Sequence, residues 1–291
     1  MIIDGKEISK KIREEVKREI MEFGYKPRLA ILMAGNDESS KVYANSKVKA
    51  CENVGIEAEI YYFSESEESK FFDTLKFLNE DKNTHGIMIE MPLPKNFNAE
   101  LVYDTLNPYK DVDCISNYNM GRLFAGKPLF VPCTPKAILH ILECINTQFE
   151  GKHAVVIGRS NILGKPVAKL LLDKNCTVTV CHSKTKDLAY YTRQADILVL
   201  AAGKMNLVKG DMVKEGAILI DAGINVYQDN IYGDADFESV KDLCSYVTPV
   251  PGGVGPVTTA MILKNTLEAF KYAVKGAWSQ RNYRLYQKND G

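Results

Sequence analysis

A tyrosine and a lysine, Tyr43 and Lys47, stand four residues apart in a segment, 40–53, whose pattern predicts a helix. Residues at this spacing project from the same helix face, one turn apart, so the phenol and the amine would lie side by side. Such a pair could form part of a catalytic site. It is also common where a helix carries core-edge and solvent-exposed side chains, and both interpretations stay open at this point.

Acidic residues in two later segments strengthen the catalytic interpretation. Glu90 lies near the end of the apolar segment 86–91, which predicts a strand, and a carboxylate there is costly unless another group pairs with it. Residues 110–113 add two alternating acids shortly before a predicted domain boundary, where we expect them to face a cleft.

A second candidate site lies at residue 158. Residues 154–157 predict a buried strand, Gly158 opens a turn, and the start of a helix follows. A helix N-terminus presents unpaired N–H groups and partial positive charge, and glycine lets a pyrophosphate approach the backbone. Arg159 and Ser160 add a cation and a hydroxyl. The pattern indicates a dinucleotide phosphate site, although the usual G-x-G-x-x-G spacing is absent and an ordinary strand-to-helix turn stays open.

The end of the next strand indicates which dinucleotide would bind. In such folds an acid at that position binds the free ribose hydroxyls and repels a 2′-phosphate. Here the predicted strand 177–181 is followed by His182, Ser183 and Lys184, which offer a hydroxyl and a cation suited to a phosphate. The sequence favours NADP over NAD, with a polar loop that only caps the next helix as the competing interpretation.

Small residues and a rigid loop follow the later strands. Ala202 and Gly203 come after the predicted strand 197–201, and the segment 221–225 follows the next one, at the strand ends where open α/β sheets bind ligands. Small side chains there would let a nicotinamide approach closely. The loop 248–258 holds three prolines and three glycines, which indicates a fixed, irregular backbone suited to the wall of a ligand site.

Composition narrows the class of partner. The 291 residues include 37 Lys plus Arg and 37 Asp plus Glu, so bulk charge gives no reason to expect binding to nucleic acid or to an anionic membrane. The sequence has no signal-peptide pattern and no apolar stretch of membrane-spanning length, so we expect a cytoplasmic protein with a small-molecule partner. Seven cysteines form no C-x-x-C pair, which argues against a disulfide framework or a metal site.

The apolar pattern also predicts the elements that carry these residues. Strands alternate with helices in two series, which predicts an α/β protein of two α/β domains with parallel strands. We place the boundary near Asn119, with a first domain at 1–119, a Rossmann-like second domain at 120–258, a long helix at about 259–275 and a tail at 276–291. The other predicted elements are a helix that ends near Gly24, helices at 67–79 and 135–146, and strands at 29–33, 59–63 and 217–221.

Ordered motifs make the chain similar to the bifunctional methylenetetrahydrofolate dehydrogenase/methenyltetrahydrofolate cyclohydrolase family. The resemblance implies a folate in a substrate cleft between the domains, NADP in the second domain, a last helix that folds back onto the first domain, and a homodimer. The motifs run from Ser40 through Thr266 and are Ser40-x-x-Tyr43-x-x-x-Lys47, Pro92-Leu93-Pro94, Lys110-Asp111-Val112-Asp113, Gly121-Arg122-Leu123, Pro132-Cys133-Thr134-Pro135, Gly158-Arg159-Ser160, His182-Ser183-Lys184-Thr185 and Pro251-Gly252-Gly253-Val254-Gly255-Pro256.

The resemblance also implies residue roles. Lys47 would be the catalytic lysine, Tyr43 would stack on or orient the folate, and Asp113 would accept hydrogen bonds from the pterin. Arg159 and Ser183 would hold the 2′-phosphate. The remaining implied contacts are Pro251, Gly252 and Gly253 for folate, and Gly158, Ser160, Ile162, His182, Lys184, Ala202, Gly203, Ile224 and Gly255 for NADP.

The implied reaction belongs to one-carbon metabolism and purine biosynthesis and has two steps. A hydride passes from 5,10-methylenetetrahydrofolate to NADP, which needs mostly alignment, and water then converts the methenyl cation to 10-formyltetrahydrofolate. The second step needs a base, and a lysine serves only if its surroundings make it give up its proton.

Glu90 departs from the family, which has a glutamine there in contact with the catalytic lysine. An ionised glutamate beside Lys47 would keep the lysine protonated and slow hydration, while a protonated one would behave like the glutamine. We therefore expect a dehydrogenase with weak or absent cyclohydrolase activity, and full bifunctionality stays open. An NADP-dependent dehydrogenase for a different substrate and a non-catalytic folate or NADP sensor also stay open. Cys114 departs from the usual glycine as well, which predicts an altered loop after Asp113.

Overall fold

A computed structural model describes residues 1–36, 38–228 and 230–276, without the side chains of 38–40. Residues 277–291, most of the predicted tail, lie outside this description. The described helices are α1 (Gly5–Phe23), α2 (Glu38–Val54), α3 (Glu68–Glu80), α4 (Ala99–Thr105), α5 (Asn117–Phe124), α6 (Cys133–Cys144), α7 (Gly164–Asp173), α8 (Leu188–Thr192), α9 (Phe237–Val240) and α10 (Val254–Val274), with a 3₁₀ turn at Gly210–Met212. The described strands are β1 (Arg28–Ala34), β2 (Glu57–Phe63), β3 (Gly86–Ile89), β4 (His153–Ile157), β5 (Thr177–Cys181), β6 (Ile197–Leu200), β7 (Ile218–Asp221), β8 (Asn225–Tyr227), β9 (Asn230–Tyr232) and β10 (Tyr246–Val247).

The chain divides into two compact units, named here by their sheets. The three-stranded unit comprises Ile12–Val131 and the chain from Ile262 onward, and the five-stranded unit comprises Met1–Lys11 and Pro132–Met261. The three-stranded and five-stranded sheets are parallel, so their strands need crossover connections, which the helices provide. The strands β8 and β9 pair with each other in an antiparallel hairpin. The predicted α/β class with a Rossmann-like second part is confirmed.

The three-stranded unit has the strand order β2-β1-β3. The chain leaves the central strand β1 first to one side and then to the other, so the order reverses between β1 and β3. Parallel sheets open a crevice at the carboxyl ends of the strands where the order reverses. Every residue of β3 is buried, as its apolar composition predicts.

The five-stranded unit repeats this arrangement within a larger sheet of order β10-β7-β6-β4-β5. Here the order reverses between β4 and β6, and both strands are almost wholly buried. Residues at the chain start extend this sheet, because the Ile3 N–H donates to the Val247 carbonyl at 2.8 Å and the Val247 N–H donates to the Met1 carbonyl at 3.0 Å.

The boundary between the two units differs from the boundary predicted near Asn119. That residue lies inside α5, where the Ser116 hydroxyl caps the helix by accepting from the Asn119 N–H at 3.3 Å. The observed division falls after Val131, and Met1–Lys11 joins the second part of the chain because of the strand pairing just described.

Two predicted elements have different ends. The strand predicted at 86–91 ends at Ile89, and the helix predicted from 259 begins at Val254, with Pro256 in its first turn, where proline is tolerated. The later part of α10 packs in the three-stranded unit, where the Asn265 amide donates to the carbonyls of Val112 at 2.7 Å and Val131 at 3.0 Å.

Candidate functional site

Helix α2 carries the predicted tyrosine and lysine on one face. Lys47 is only 4% exposed, although a buried lysine is rare unless another group pairs with its charge. Its Nζ atom lies 4.9 Å from the centre of the Tyr43 ring, which is 43% exposed. The four-residue spacing therefore brings the amine and the phenol together, with the lysine inside and the tyrosine at the surface.

Glu90 supplies the partner for the buried lysine. It follows directly after β3, and its N–H donates to the Leu32 carbonyl at 2.9 Å, which holds the backbone at the end of the sheet. Its Oε1 lies 2.5 Å from Lys47 Nζ, and the side chains of these two residues are 14% and 5% exposed. The carboxyl end of the three-stranded sheet, at the point where the strand order reverses, thus holds a shielded ion pair with an aromatic ring beside it.

The surroundings of this pair shift the titration of its neighbours. The pKa of Tyr43 is raised, first by partial burial and second by the negative charge of Glu90. The Cys51 thiol is buried one helical turn beyond Lys47, and burial raises its pKa to about 12. Because the thiolate is the nucleophilic form of cysteine, Cys51 is an inert core residue.

The segment 110–113 divides into a buried and a partly exposed part. The Lys110 ammonium is 1% exposed and donates to the carbonyls of Leu78 at 2.7 Å and Asp81 at 2.6 Å. Asp111 is fully buried and accepts from the N–H groups of Ile115 and Ser116 at the start of α5. Both residues hold the fold, whereas Asp113 is partly exposed and is the one able to meet a ligand.

Cys114 adopts the backbone conformation that glycine favours. Its φ is 55°, in the left-handed region, although its side chain is fully buried. The chain thus makes a left-handed turn after Asp113, a conformation that glycine favours, and an altered loop relative to the family stays a prediction.

The turn after β4 needs its glycines. Gly158 has a φ of 142°, and a Cβ atom at this position would lie 2.3 Å from the Ala201 carbonyl oxygen. A Cβ on Gly164, the first residue of α7, would lie 2.3 Å from the Gly158 carbonyl oxygen. The ends of β4 and β6 therefore approach closely at the point where the strand order reverses, which is where a nucleotide binds in sheets of this order.

The side chains of this turn face solvent. Arg159, Ser160 and Ile162 are exposed. The Ser160 hydroxyl accepts from the Gly164 N–H at 3.3 Å, and the Gly158 N–H donates to the Cys181 carbonyl at 2.9 Å. Part of the predicted phosphate-binding potential is thus already used within the turn, while the guanidinium of Arg159 remains at the surface.

The loop after β5 is a tight polar turn without an acid. The Thr185 N–H donates to the His182 carbonyl at 2.8 Å, and the Lys184 N–H donates to His182 Nδ1 at 3.1 Å. These bonds leave the side chains of Ser183 and Lys184 exposed. Their hydroxyl and ammonium can meet a 2′-phosphate, so the turn fits NADP better than NAD.

The backbone N–H groups after β6 are hydrogen-bonded to a carboxylate that the sequence did not indicate. Asp234 is fully buried, and its carboxylate accepts from the N–H groups of Ala202 at 2.6 Å, Gly203 at 3.0 Å and Lys204 at 2.8 Å. Ala202 and Gly203 can therefore offer a cofactor their small size and their carbonyls, but not these N–H groups. Ile224, the next predicted contact, is 58% exposed.

A second buried acid, Asp221, ends β7. It accepts from the N–H groups of Gly223, Asp234 and Ala235, and burial raises its pKa to about 6. An acid at the end of an apolar strand was the signal that identified Glu90, and the same signal was present at Asp221. Asp234 carried no such signal, because its amide partners are distant in sequence.

The loop predicted as a ligand wall is fixed by the start of the chain. The Gly5 N–H donates to the Gly252 carbonyl at 3.1 Å, and a Cβ on Gly5 would lie 1.8 Å from the Gly253 carbonyl oxygen. Pro251 is exposed, and Gly252 has a φ of 107°. Gly255 is not part of this loop but lies in the first turn of α10. Gly5 is a further residue that sequence reasoning missed.

The described residues contain no helix long and apolar enough to cross a membrane. In the same part of the chain, no three His, Cys, Asp or Glu side chains are grouped so that they could hold a metal ion.

Comparisons with known proteins match both units. A family model described as tetrahydrofolate dehydrogenase/cyclohydrolase, catalytic domain, matches residues 3–113, and one described as the NAD(P)-binding domain of the same enzymes matches 132–274. The chain is 86% identical over 275 residues to a bifunctional protein FolD from Caldanaerobacter subterraneus subsp. tengcongensis, a match that covers 94% of this chain and 98% of the relative.

Two solved structures have the same fold over nearly the whole chain. The bifunctional methylenetetrahydrofolate dehydrogenase/cyclohydrolase FolD from Campylobacter jejuni is 44% identical, with a TM-score of 0.90 and coverage of 93% of this chain and 98% of that one. The Trypanosoma brucei enzyme, solved with NADP cofactor and an inhibitor, is 36% identical, with a TM-score of 0.92 and coverage of 94% and 98%.

Proposed function

The chain belongs to the tetrahydrofolate dehydrogenase/cyclohydrolase family, and from that premise we propose that it oxidises 5,10-methylenetetrahydrofolate with NADP and hydrolyses the methenyl product to 10-formyltetrahydrofolate. The observation that carries the proposal is the buried contact between Lys47 and Glu90 beside Tyr43, at the sheet edge where the strand order of the three-stranded unit reverses.

Each group near this edge has a role in the proposed reaction. The half-exposed ring of Tyr43 offers a flat surface on which a folate ring can stack, and the Asp113 carboxylate can accept two hydrogen bonds from the amino-pyrimidine edge of a pterin. The negative charge of Glu90 favours the methenyl cation that oxidation leaves on the folate. Asp113 and Tyr43 thus orient the substrate, and Glu90 stabilises the charge that develops.

The five-stranded unit supplies the NADP site in this proposal. Because Gly158 has no side chain, a pyrophosphate can approach the backbone of this turn, while Arg159 and Ser183 offer a cation and a hydroxyl for the 2′-phosphate. Bound NADP accepts the hydride. Pro251, Gly252 and Gly253 form a rigid wall against which the folate and the nicotinamide can be aligned. A substrate cleft between the domains stays a prediction.

The departure from the family pattern at Glu90 bears on the hydrolysis step. Glu90 Oε1 accepts a hydrogen bond from Lys47 Nζ at 2.5 Å, so the amine must leave this shielded contact before it can act on a water molecule. We therefore propose that both activities are present and that cyclohydrolysis is the slower one. A dehydrogenase without any cyclohydrolase activity is the limiting case of the same interaction.

We also propose a homodimer located in the cytoplasm. The hairpin of β8 and β9 exposes Val226, Tyr227 and Ile231. Three exposed apolar side chains on one small hairpin are suited to burial against a second copy of the chain. We expect light scattering to show a dimer for the full chain and a monomer for a Val226→Lys/Ile231→Lys variant. If the variant stays dimeric, the contact between the two copies lies elsewhere.

The function is tested by incubating the purified protein with 5,10-methylenetetrahydrofolate and either NADP or NAD. We expect NADPH formation coupled to folate oxidation, and a higher kcat/KM with NADP than with NAD. NADP binding without turnover would support a non-catalytic sensor. Dehydrogenase activity that needs a different substrate and does not respond to Lys47→Met or Asp113→Asn would mean that the folate is not the substrate.

A further inference from the structure

The buried acid Asp234 accepts four hydrogen bonds from amides and lies near the carboxyl ends of the strands in the five-stranded sheet. Three bonds come from consecutive backbone N–H groups after β6, at Ala202, Gly203 and Lys204, and the fourth comes from the Asn225 side chain at 3.0 Å. Three consecutive N–H groups directed at one carboxylate fix the path of the loop that carries them.

A second acid anchors the first. The Asp234 N–H donates to Asp221 Oδ1 at 3.1 Å, and the same Asp221 carboxylate accepts from the N–H of Gly223 at 2.9 Å and of Ala235 at 2.8 Å. The Asp221 N–H in turn donates to the Thr248 hydroxyl at 2.7 Å. The two acids therefore connect the loops that follow β6, β7 and β9 and the start of the proline-rich loop.

Two glycines make this arrangement possible. A Cβ on Gly223 would lie 2.3 Å from Asp234 Oδ1, and a Cβ on Gly233 would lie 2.1 Å from Asp221 Oδ2. The backbone thus approaches each carboxylate directly, with no space left for a side chain or a solvent layer. A change in the shape or charge of either acid should therefore shift the backbone of the loops, because the two are in direct contact.

We propose that Asp234 is a positioning residue that fixes the loops at 201–204 and 222–225, and with them the nicotinamide end of the NADP site. The inference rests on the proposed NADP-dependent reaction. Asp234 is fully buried and all described partners of its carboxylate are amides, so it acts through the loops that it holds and not by touching the cofactor. The adenosine end of NADP is held elsewhere, by the turn at Gly158 and the loop at Ser183. Loss of Asp234 should therefore damage alignment of the nicotinamide and leave adenosine binding intact.

The test is an Asp234→Asn variant of the full chain. Asparagine keeps the shape but replaces one acceptor oxygen with an NH₂ group, which faces backbone donors. We expect kcat for folate oxidation to fall at least about tenfold and the KM for NADP to rise about three- to tenfold, since misalignment weakens hydride transfer more than binding. Binding of adenosine 2′,5′-bisphosphate, which lacks the nicotinamide, should stay within about twofold of the wild type.

The matched control is Asp196→Asn in the same sheet. Asp196 also accepts from a backbone N–H, that of His153 at 2.9 Å, but it lies before β6, at the amino ends of the strands. A general loss of stability would appear in both variants, whereas the change in kcat should appear only at Asp234. If Asp234→Asn does not fold, Asn225→Ala removes one donor and should shift kcat in the same direction by a smaller factor.

Unchanged kcat and KM in folded Asp234→Asn would overturn the proposal, and so would an equal loss of affinity for NADP and for adenosine 2′,5′-bisphosphate. The proposed function fails separately. If the wild type binds NADP but does not oxidise the folate, the reaction is wrong while the comparison of the two ligands still tests Asp234. If the wild type does not bind NADP, both are wrong.

Discussion

Both units carry buried charge at the carboxyl ends of their strands, where the strand order reverses, but they neutralise it in different ways. In the three-stranded unit a side-chain ammonium meets a side-chain carboxylate, Lys47 against Glu90. In the five-stranded unit the carboxylates of Asp221 and Asp234 meet backbone N–H groups. The first arrangement places a titratable pair where it can take part in chemistry, and the second uses charge to hold a backbone in place.

The difference determines how each unit should respond to substitution. Chemistry that depends on two side chains is altered by changing either one, although the buried partner that is left unpaired also lowers stability. A site built from backbone and glycines tolerates changes in exposed side chains but not an added Cβ or a lost acceptor.

The largest expected effect comes from removing the amine. In Lys47→Met we expect hydrolysis of methenyltetrahydrofolate to fall on the order of 10²- to 10⁴-fold, the usual contribution of a general base. Oxidation should fall much less, because hydride transfer needs alignment and not a base. Separate assays of the two steps check this. Lys49→Met is the control, because Lys49 is exposed on the same helix. Equal losses in both steps would assign Lys47 to substrate binding alone.

A Cβ at the phosphate turn should have the next largest effect. In Gly158→Ala the added carbon meets the Ala201 carbonyl oxygen at 2.3 Å, so we expect NADP affinity to fall on the order of 100-fold. Isothermal titration with NADP measures it. Gly216→Ala is the matched control, since Gly216 also has a positive φ, 77°, but open space around its Cβ position. If both variants lose affinity equally, backbone strain explains the effect and the close approach does not.

Asp221 should make stability depend on pH. Burial raises the pKa of Asp221 from its usual 3.8 to about 6, so the native state holds this proton more tightly than the unfolded chain does. The contribution of Asp221 to stability is therefore present at low pH and is lost as the pH rises from about 4 to about 6, with an upper limit of about 3 kcal/mol. Urea unfolding across this range should show a loss of stability with rising pH in the wild type relative to Asp221→Asn, because the variant lacks only this group.

Asp196→Asn gives a control of opposite sign. Burial opposes ionisation of Asp196, but hydrogen bonds from Lys214 and from the His153 N–H outweigh it and lower its pKa. Its stabilising contribution is present at neutral pH and is lost as the pH falls. An equal slope in the wild type and in Asp221→Asn would mean that Asp221 is ionised at no cost in the folded protein.

A smaller effect is expected from making the ion pair neutral. In Glu90→Gln the amide oxygen can still accept a hydrogen bond from Lys47 but no longer carries a negative charge, and we expect hydrolysis to rise about tenfold, which corresponds to about 1.4 kcal/mol, while oxidation changes less than about threefold. The exposed Glu100→Gln change serves as the control. A decrease in hydrolysis would mean that the carboxylate itself helps the water to attack.

The sequence predicted the side-chain site better than the backbone site. Helical spacing placed Tyr43 beside Lys47, and an acid at the end of an apolar strand indicated that Glu90 needs a partner. Periodicity also predicted both sheets. It did not predict α5, because its Asn and Gly residues lack an apolar pattern and the helix depends on the Ser116 cap. The role of Asp234 depends on amides about thirty positions away, and that of Gly5 depends on a loop at 252–253, so neither can be inferred from local sequence.

A time course of folate species with NADP shows whether Glu90 restrains Lys47. Methenyl- and 10-formyltetrahydrofolate are followed separately for the wild type, for Glu90→Gln and for a buffer blank. If Glu90 restrains Lys47, methenyltetrahydrofolate accumulates transiently in the wild type, and Glu90→Gln shortens or removes this accumulation. Direct flow to 10-formyltetrahydrofolate in the wild type, at a rate that Glu90→Gln does not increase, would contradict it.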